Sequence, residues 1–338
     1  MSEPAATVCP MTNEGDTSGS AQPHDALFRL VFTNPENTGS ELRSVLPPEL
    51  TAHIDLDGMV LQEGTFVDEH LRHRQTDVLF KTTVHGDDAY LYLLVEHQSS
   101  PDPLMAFRRL QYQVRIWDRH LKQHKIQPGQ RPLPLIIPVV IYQGRRHWNA
   151  PTDIAYLLNI DDSLATAAGN LVPHAGFLLD DLATVDDATL RARPLTTAAR
   201  ITFVYLTHAP GDPHATRWMP NWTDHIIELD VKSVEAHFQY LVTVSPTDIY
   251  DVARYAATVG PDTMEAAMNT ADVLRAEGRA EGRVEARADM LIELLTAKFG
   301  KLDPRIRNRV EHATTEQISE WSTRLVLGNE ALDQVFGA

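Results

Sequence analysis

Asp77, Glu96 and Gln98 are the residues whose types and spacing point most directly to chemistry. Glu96-His97-Gln98 closes the apolar run Tyr90-Leu91-Tyr92-Leu93-Leu94-Val95, and Asp77 opens the strand-like run before it. The runs 77–84 and 89–96 are separated by His85-Gly86-Asp87-Asp88, which has the length and composition of a hairpin loop. If Val84 pairs with Ala89, paired positions sum to 173 and Asp77 stands directly opposite Glu96. Directly opposed side chains have Cβ atoms about 5 Å apart, and like charges there repel. A divalent cation between the carboxylates would remove that repulsion. Two carboxylates and a backbone carbonyl, here that of His97, suit Mg²⁺ with its waters. Such an ion polarises a phosphoryl oxygen and helps to generate hydroxide. Gln98 projects on the same face as Glu96 and could orient the attacking water. The same residues also fit a pair of strand-end charges directed into solvent.

The totals bound the class. A chain of 338 residues, 43% hydrophobic and 22% charged, has ample length for one large or two smaller globular domains. Its single cysteine, Cys9, excludes a disulfide or a cysteine zinc site within one chain, which fits a reducing cytoplasmic compartment. No apolar run approaches the roughly 20 residues needed to span a bilayer. The N-terminus lacks the basic-then-apolar pattern of a signal peptide. The net charge of −16 argues against nucleic acid at first sight, but residues 70–150 carry twelve Lys/Arg against six Asp/Glu. A locally positive surface on an acidic protein can attract phosphates. Ordinary solvated helix and loop charges would give the same count.

Residues 1–23 are rich in Ser, Thr, Gly, Pro and Ala and read as a disordered tail. A short helix is expected from about His24, with Asp25 either capping it or facing a metal pocket. A second is expected over 36–45, and weak strand signal follows near 54–61. After the hairpin, an amphipathic helix from about Leu104 to His120 is expected to bury Leu104, Phe107, Leu110, Val114, Trp117 and Leu121. Leu133–Tyr142 reads as a strand buried on both faces, with Pro138 suited to an edge or a bulge. This order gives a mixed α/β unit. Residues 150–260 read as mostly helical, and their histidines lack ligand spacing.

The C-terminal part changes character. Ala276-Glu277-Gly278-Arg279 and Ala280-Glu281-Gly282-Arg283 are tandem units, with Val284-Glu285-Ala286-Arg287 a degenerate third. On a helix a four-residue period drifts about 40° per repeat and draws slowly winding stripes. Each interior glycine costs about 1 kcal/mol, so such a helix is expected to pair with another, giving a homo-oligomer; a flexible charged linker is the alternative reading. Apolar residues from Leu291 to Leu332 then form a small helical module, broken at Pro304. The expected divisions are 1–23, 24–240, 241–275 as a helical connector, and 276–338.

Several stretches resemble a known family: Pro23–Phe28, Leu46-Pro47-Pro48-Glu49-Leu50, Phe66–Glu69, Thr76–Phe80, Leu94–Met105, Tyr112–Trp117 and Ile137–Gly144. Together they resemble the Rpn recombination-promoting nucleases, also called YhgA-like transposases. The likeness covers residues 23–150 well and extends more loosely to 240. It implies a PD-(D/E)XK restriction-endonuclease-like core, a mixed central sheet flanked by helices, with a C-terminal helical extension. It assigns the superfamily's Asp to Asp77, its Glu to Glu96 and its Lys to Gln98. The superfamily's acidic residue on the first helix would be Asp25. The implied activity is Mg²⁺-dependent (or Mn²⁺-dependent) cleavage of DNA, with Arg72, Arg74, Arg108 and Arg115 as candidate phosphate contacts. Gln98 departs from the superfamily's lysine: a neutral amide can orient water but stabilises phosphate charge less.

Overall fold

The computed structural model describes residues 23–62, 78–96, 101–125, 131–326 and 331–337. The chain divides into two compact units, one ending at Asp248 and one beginning at Ile249.

The first unit is a mixed α/β structure on a five-stranded sheet. Helices α1 (Pro23–Phe32), α2 (Pro35–Val45) and α3 (Pro48–Thr51) come first. They are followed by β1 (Val60–Leu61), β2 (Val78–Val84) and β3 (Asp87–Glu96). Helix α4 (Met105–Gln123) leads to β4 (Leu135–Tyr142), and β5 (Leu178–Asp181) closes the sheet. Strand order is β1-β2-β3-β4-β5, with β1, β2 and β3 antiparallel and β3, β4 and β5 parallel.

The hairpin is tighter than its sequence suggested. Val84 pairs with Asp87, not Ala89, so paired positions sum to 171 and Leu93 stands opposite Val78. The pairing that would set position 77 against Glu96 is therefore not the one formed. The cause is the turn. His85 and Gly86 have φ of 53° and 88°, the two left-handed residues of a type I′ loop. Two residues turn the chain where four were expected, and Asp87 and Asp88 join the strand. The shift is an even number, so side chains keep their faces.

Helix α4 buries a different stripe from the expected one. Leu104, Phe107 and Val114 are 54%, 44% and 43% exposed, while Met105, Ala106, Arg109, Tyr112, Gln113, Ile116 and His120 are buried. The sheet's tyrosines explain the choice. The Arg109 guanidinium lies 5.1 Å from the Tyr92 ring centroid and 4.6 Å from that of Tyr112, and His120 meets Tyr90 edge-on. Polar partners on the sheet outweigh the amphipathic pattern of the helix.

Strand β4 is buried from Ile136 to Tyr142. Strand β5 covers it only from Val139, so Pro138 stands where β4 has a single neighbour and its missing N–H breaks no second ladder. Helices α5 (Asp162–Ala168), α6 (Asp187–Ala192), α7 (Thr197–His208), α8 (Thr223–Ile226) and α9 (Val231–Val244) complete the unit. Phe28, Phe32 and Phe203 stack in sequence between α1 and α7.

The second unit holds α10 (Ile249–Val259), the 39-residue α11 (Pro261–Phe299), α12 (Pro304–Glu311), α13 (Thr315–Val326) and α14 (Leu332–Phe336). The four-residue repeats lie within α11. Leu291, Ile292, Leu295, Val310, Ile318, Trp321, Leu325 and Phe336 form its core. Pro304 is the first residue of α12, where its missing N–H costs nothing. No described helix is long and apolar enough to cross a membrane.

Candidate functional site

The three parallel strands end together, β3 at Glu96, β4 at Tyr142 and β5 at Asp181. In open α/β sheets the space beyond the carboxyl ends of strands is where ligands bind. Helix α1 starts at this edge. His24 Nδ1 is 3.2 Å from Gln143 Nε2, in the residue after β4, and 2.8 Å from the Tyr240 hydroxyl on α9. Gln143 donates from its amide, so His24 Nδ1 acts as an acceptor. Asp25, next along α1, is 6% exposed. It sits inside the first turn of the helix, whose first residue is Pro23, so it is not the N-cap. Gly144 completes the edge: a Cβ there would lie 1.8 Å from the Tyr142 hydroxyl, so only glycine lets that ring take its place.

Of the residues expected at the site, Asp25 is described in full, and the backbone of Glu96 forms the last residue of β3 opposite Tyr142. The Glu96 side chain, and Asp77, His97, Gln98, Arg72 and Arg74, lie outside the described residues. Arg108 is held by Asp102 at 2.5 Å, and Asp102 also accepts from the Leu104 N–H at the start of α4. Arg115 lies 5.9 Å from the Tyr112 ring centroid. Both arginines are partly exposed on α4.

Other carboxylates near the strand ends have structural partners. Asp181 accepts from the Trp148 and Ala183 backbone N–H groups. Asp180 receives both ends of Arg193 at 2.7 Å each, a bidentate pair. Glu41 on α2 is fully buried against this pair, and burial first, then the charge of Asp180, push its carboxyl well above the usual range. A protonated Glu41 can donate to Asp180, whereas two ionised carboxylates could not share the space.

At the opposite end of the hairpin stands a group that sequence reading missed. Asp88, on β3, and His120 and His124, at the end of α4, bring one ligand atom each within 4.8 Å of one another. The spacing His120-x-x-x-His124 puts both imidazoles on one helix face, a signal present in the sequence. Strand β5 and the buried Glu41 carried no comparable signal.

The family model described as "Putative transposase, YhgA-like" matches residues 22–233. The chain belongs to that family. Among curated relatives, it is 36% identical over 165 residues to the recombination-promoting nuclease RpnD of Escherichia coli O157:H7, covering 49% of this chain and 60% of the relative. It is 38% identical over 125 residues to the recombination-promoting nuclease RpnC of Escherichia coli strain K12, covering 37% and 40%. It is 31% identical over 176 residues to the inactive recombination-promoting nuclease-like protein RpnE of the same strain, covering 52% and 56%. The chain thus spans about half the length of these curated relatives. No solved structure matches it.

Proposed function

We propose that this member of the YhgA-like family is a metal-dependent DNA endonuclease with a PD-(D/E)XK core, acting in recombination, transposition or defence against mobile DNA. The observation that carries the reading is the meeting of two chain segments at one sheet edge. Glu96 ends β3 beside β4, and the His24–Gln143 contact brings the first turn of α1, which carries the buried Asp25, to the residue after β4. Asp77, Glu96, the His97 carbonyl and Asp25 are all oxygen donors, which suits Mg²⁺ or Mn²⁺. When bound, the ion would supply charge stabilisation at the phosphoryl group and a more acidic water. Gln98 orients that water through its amide. Arg72, Arg74, Arg108 and Arg115 neutralise the DNA backbone, and a homo-oligomer formed through the repeats of α11 sets two such centres on one duplex.

The second reading is a DNA-binding protein of this family with little or no cleavage. It is favoured by Gln98 in place of a cation and by the relative named as inactive. A protein-interaction module is the third. Supercoiled plasmid incubated with the protein in Mg²⁺, Mn²⁺ or EDTA separates them. Nicking that requires metal supports the endonuclease. DNA binding that weakens steeply with salt, without nicking, selects the second. Neither result leaves the interaction module.

A further inference from the structure

We propose that Asp88, His120 and His124 bind a zinc-class transition cation, in competition with Lys81, at a site separate from the one around Glu96. Glu96 lies eight steps beyond Asp88 along β3, about 26 Å of extended chain. The donor set differs as well. Two imidazoles and one carboxylate suit Zn²⁺ and its neighbours, whereas Mg²⁺ prefers oxygen throughout.

The local hydrogen bonds prepare the ligands. His124 is the C-cap residue of α4, and both its backbone N–H and its Nδ1 meet the His120 carbonyl, at 3.0 and 2.9 Å. A carbonyl only accepts, so Nδ1 carries a proton and Nε2 is the nitrogen left to meet a cation. That Nε2 lies 3.9 Å from Asp88 Oδ2. Metal–ligand bonds of about 2.0–2.2 Å put tetrahedral ligand atoms roughly 3.3–3.5 Å apart, so binding draws the three ligand atoms, now within 4.8 Å of one another, closer together. A backbone carbonyl on the far nitrogen is the usual means of fixing a metal-binding histidine. The two imidazoles stack with centroids 4.1 Å apart, at 18°, so one ring turns out of the stack when both lone pairs converge on a single ion. The Tyr90 hydroxyl, 3.3 Å from His120 Nδ1, restrains the second ring.

Lys81 is the competitor. Its Nζ is 2.8 Å from Asp88 Oδ2. The ammonium fills one side of the carboxylate, and an incoming dication would displace it. A cavity of about 730 Å³ adjoins the cluster, lined in part by His85, Asp88, His120, His124, Lys125 and Arg131, and leaves room for an open coordination position. Bound there, the ion would tie the tip of the β2–β3 hairpin to the end of α4.

The test is titration of metal-free protein with Zn²⁺ by calorimetry, and with Co²⁺ by visible absorption. Titrated in excess Mg²⁺, which occupies the all-oxygen site around Glu96, one ion per chain is expected, with a tetrahedral Co²⁺ spectrum. Loss of an outer partner already costs roughly 10–100-fold, so His124→Ala and Asp88→Asn should each weaken binding by at least about tenfold. Lys81→Met should bind more tightly, and Glu96→Ala should bind as the wild type does. His124 and Asp88 are partly exposed, so these variants should fold, which circular dichroism checks. No binding by the wild type, wild-type affinity in both ligand variants, no gain in Lys81→Met, or loss in Glu96→Ala would each overturn the proposal.

Discussion

His24 and Gln143 approach to 3.2 Å across 119 residues of sequence, and so join the first turn of α1 to the end of β4. Asp25 is the next residue of that turn, and it is buried. Asp25→Asn is expected to lower metal-dependent cleavage and to raise the metal concentration required. His24→Ala should lower cleavage by up to about 100-fold through misplacement alone, with the fold retained. Plasmid-nicking rates over a metal titration, beside circular dichroism spectra, check both. Unchanged metal dependence in Asp25→Asn would remove that residue from the site.

Gly144 is needed for steric reasons, since any Cβ would collide with the Tyr142 hydroxyl. Gly144→Ala should destabilise the first unit by about 1–3 kcal/mol, the usual cost of forcing atoms into a packed region. Urea unfolding would measure it.

Glu41 gives a pH signature. Its carboxyl is raised by burial and by Asp180, so the folded state holds this proton more tightly than the unfolded chain. The stabilisation is full below the unfolded carboxyl range and fades as pH rises through the folded value. Glu41→Gln carries no proton to lose. It should match or exceed the wild-type melting temperature at pH 8 and gain nothing at pH 5. A larger loss at pH 8 than at pH 5 would contradict a neutral Glu41.

His237 works in the opposite direction. Burial lowers its pKa to about 4. Its ring lies between Thr202, at 3.0 Å, and the Ser233 carbonyl, at 2.7 Å. The unfolded chain takes up this proton first, so stability falls as pH drops from about 6.5 to 4, by on the order of 3 kcal/mol. His237→Gln should flatten that part of the stability profile, as read by denaturant midpoints across the range.

The sequence made the α/β order, the helix over 36–45, the break at Pro304 and the strand through Pro138 readable, because each rests on local rules of periodicity and proline placement. It misjudged what depends on partners. The apolar stripe on α4 pointed to Leu104 and Phe107, yet Arg109 and His120 turn inward because sheet tyrosines receive them. The hairpin register moved by two because His85 accepts a left-handed conformation, which its residue type did not announce. Strand β5 is four residues long and carries two aspartates, so only its pairing with β4 makes it a strand. At the candidate site, the family-like motifs around Glu96 and Gln143 were visible. The role of His24 in joining them was not, since it depends on a contact 119 residues away.

The central claim is that Asp77 and Glu96 hold the metal that cleaves DNA. Its most direct measurement is nicking of supercoiled plasmid by wild type, Asp77→Ala and Glu96→Ala, each purified identically and assayed in Mg²⁺, Mn²⁺ and EDTA. The account predicts metal-dependent nicking by the wild type that both variants lose while remaining folded. Equal nicking by wild type and variants, or none by a folded wild type in either metal, would contradict it.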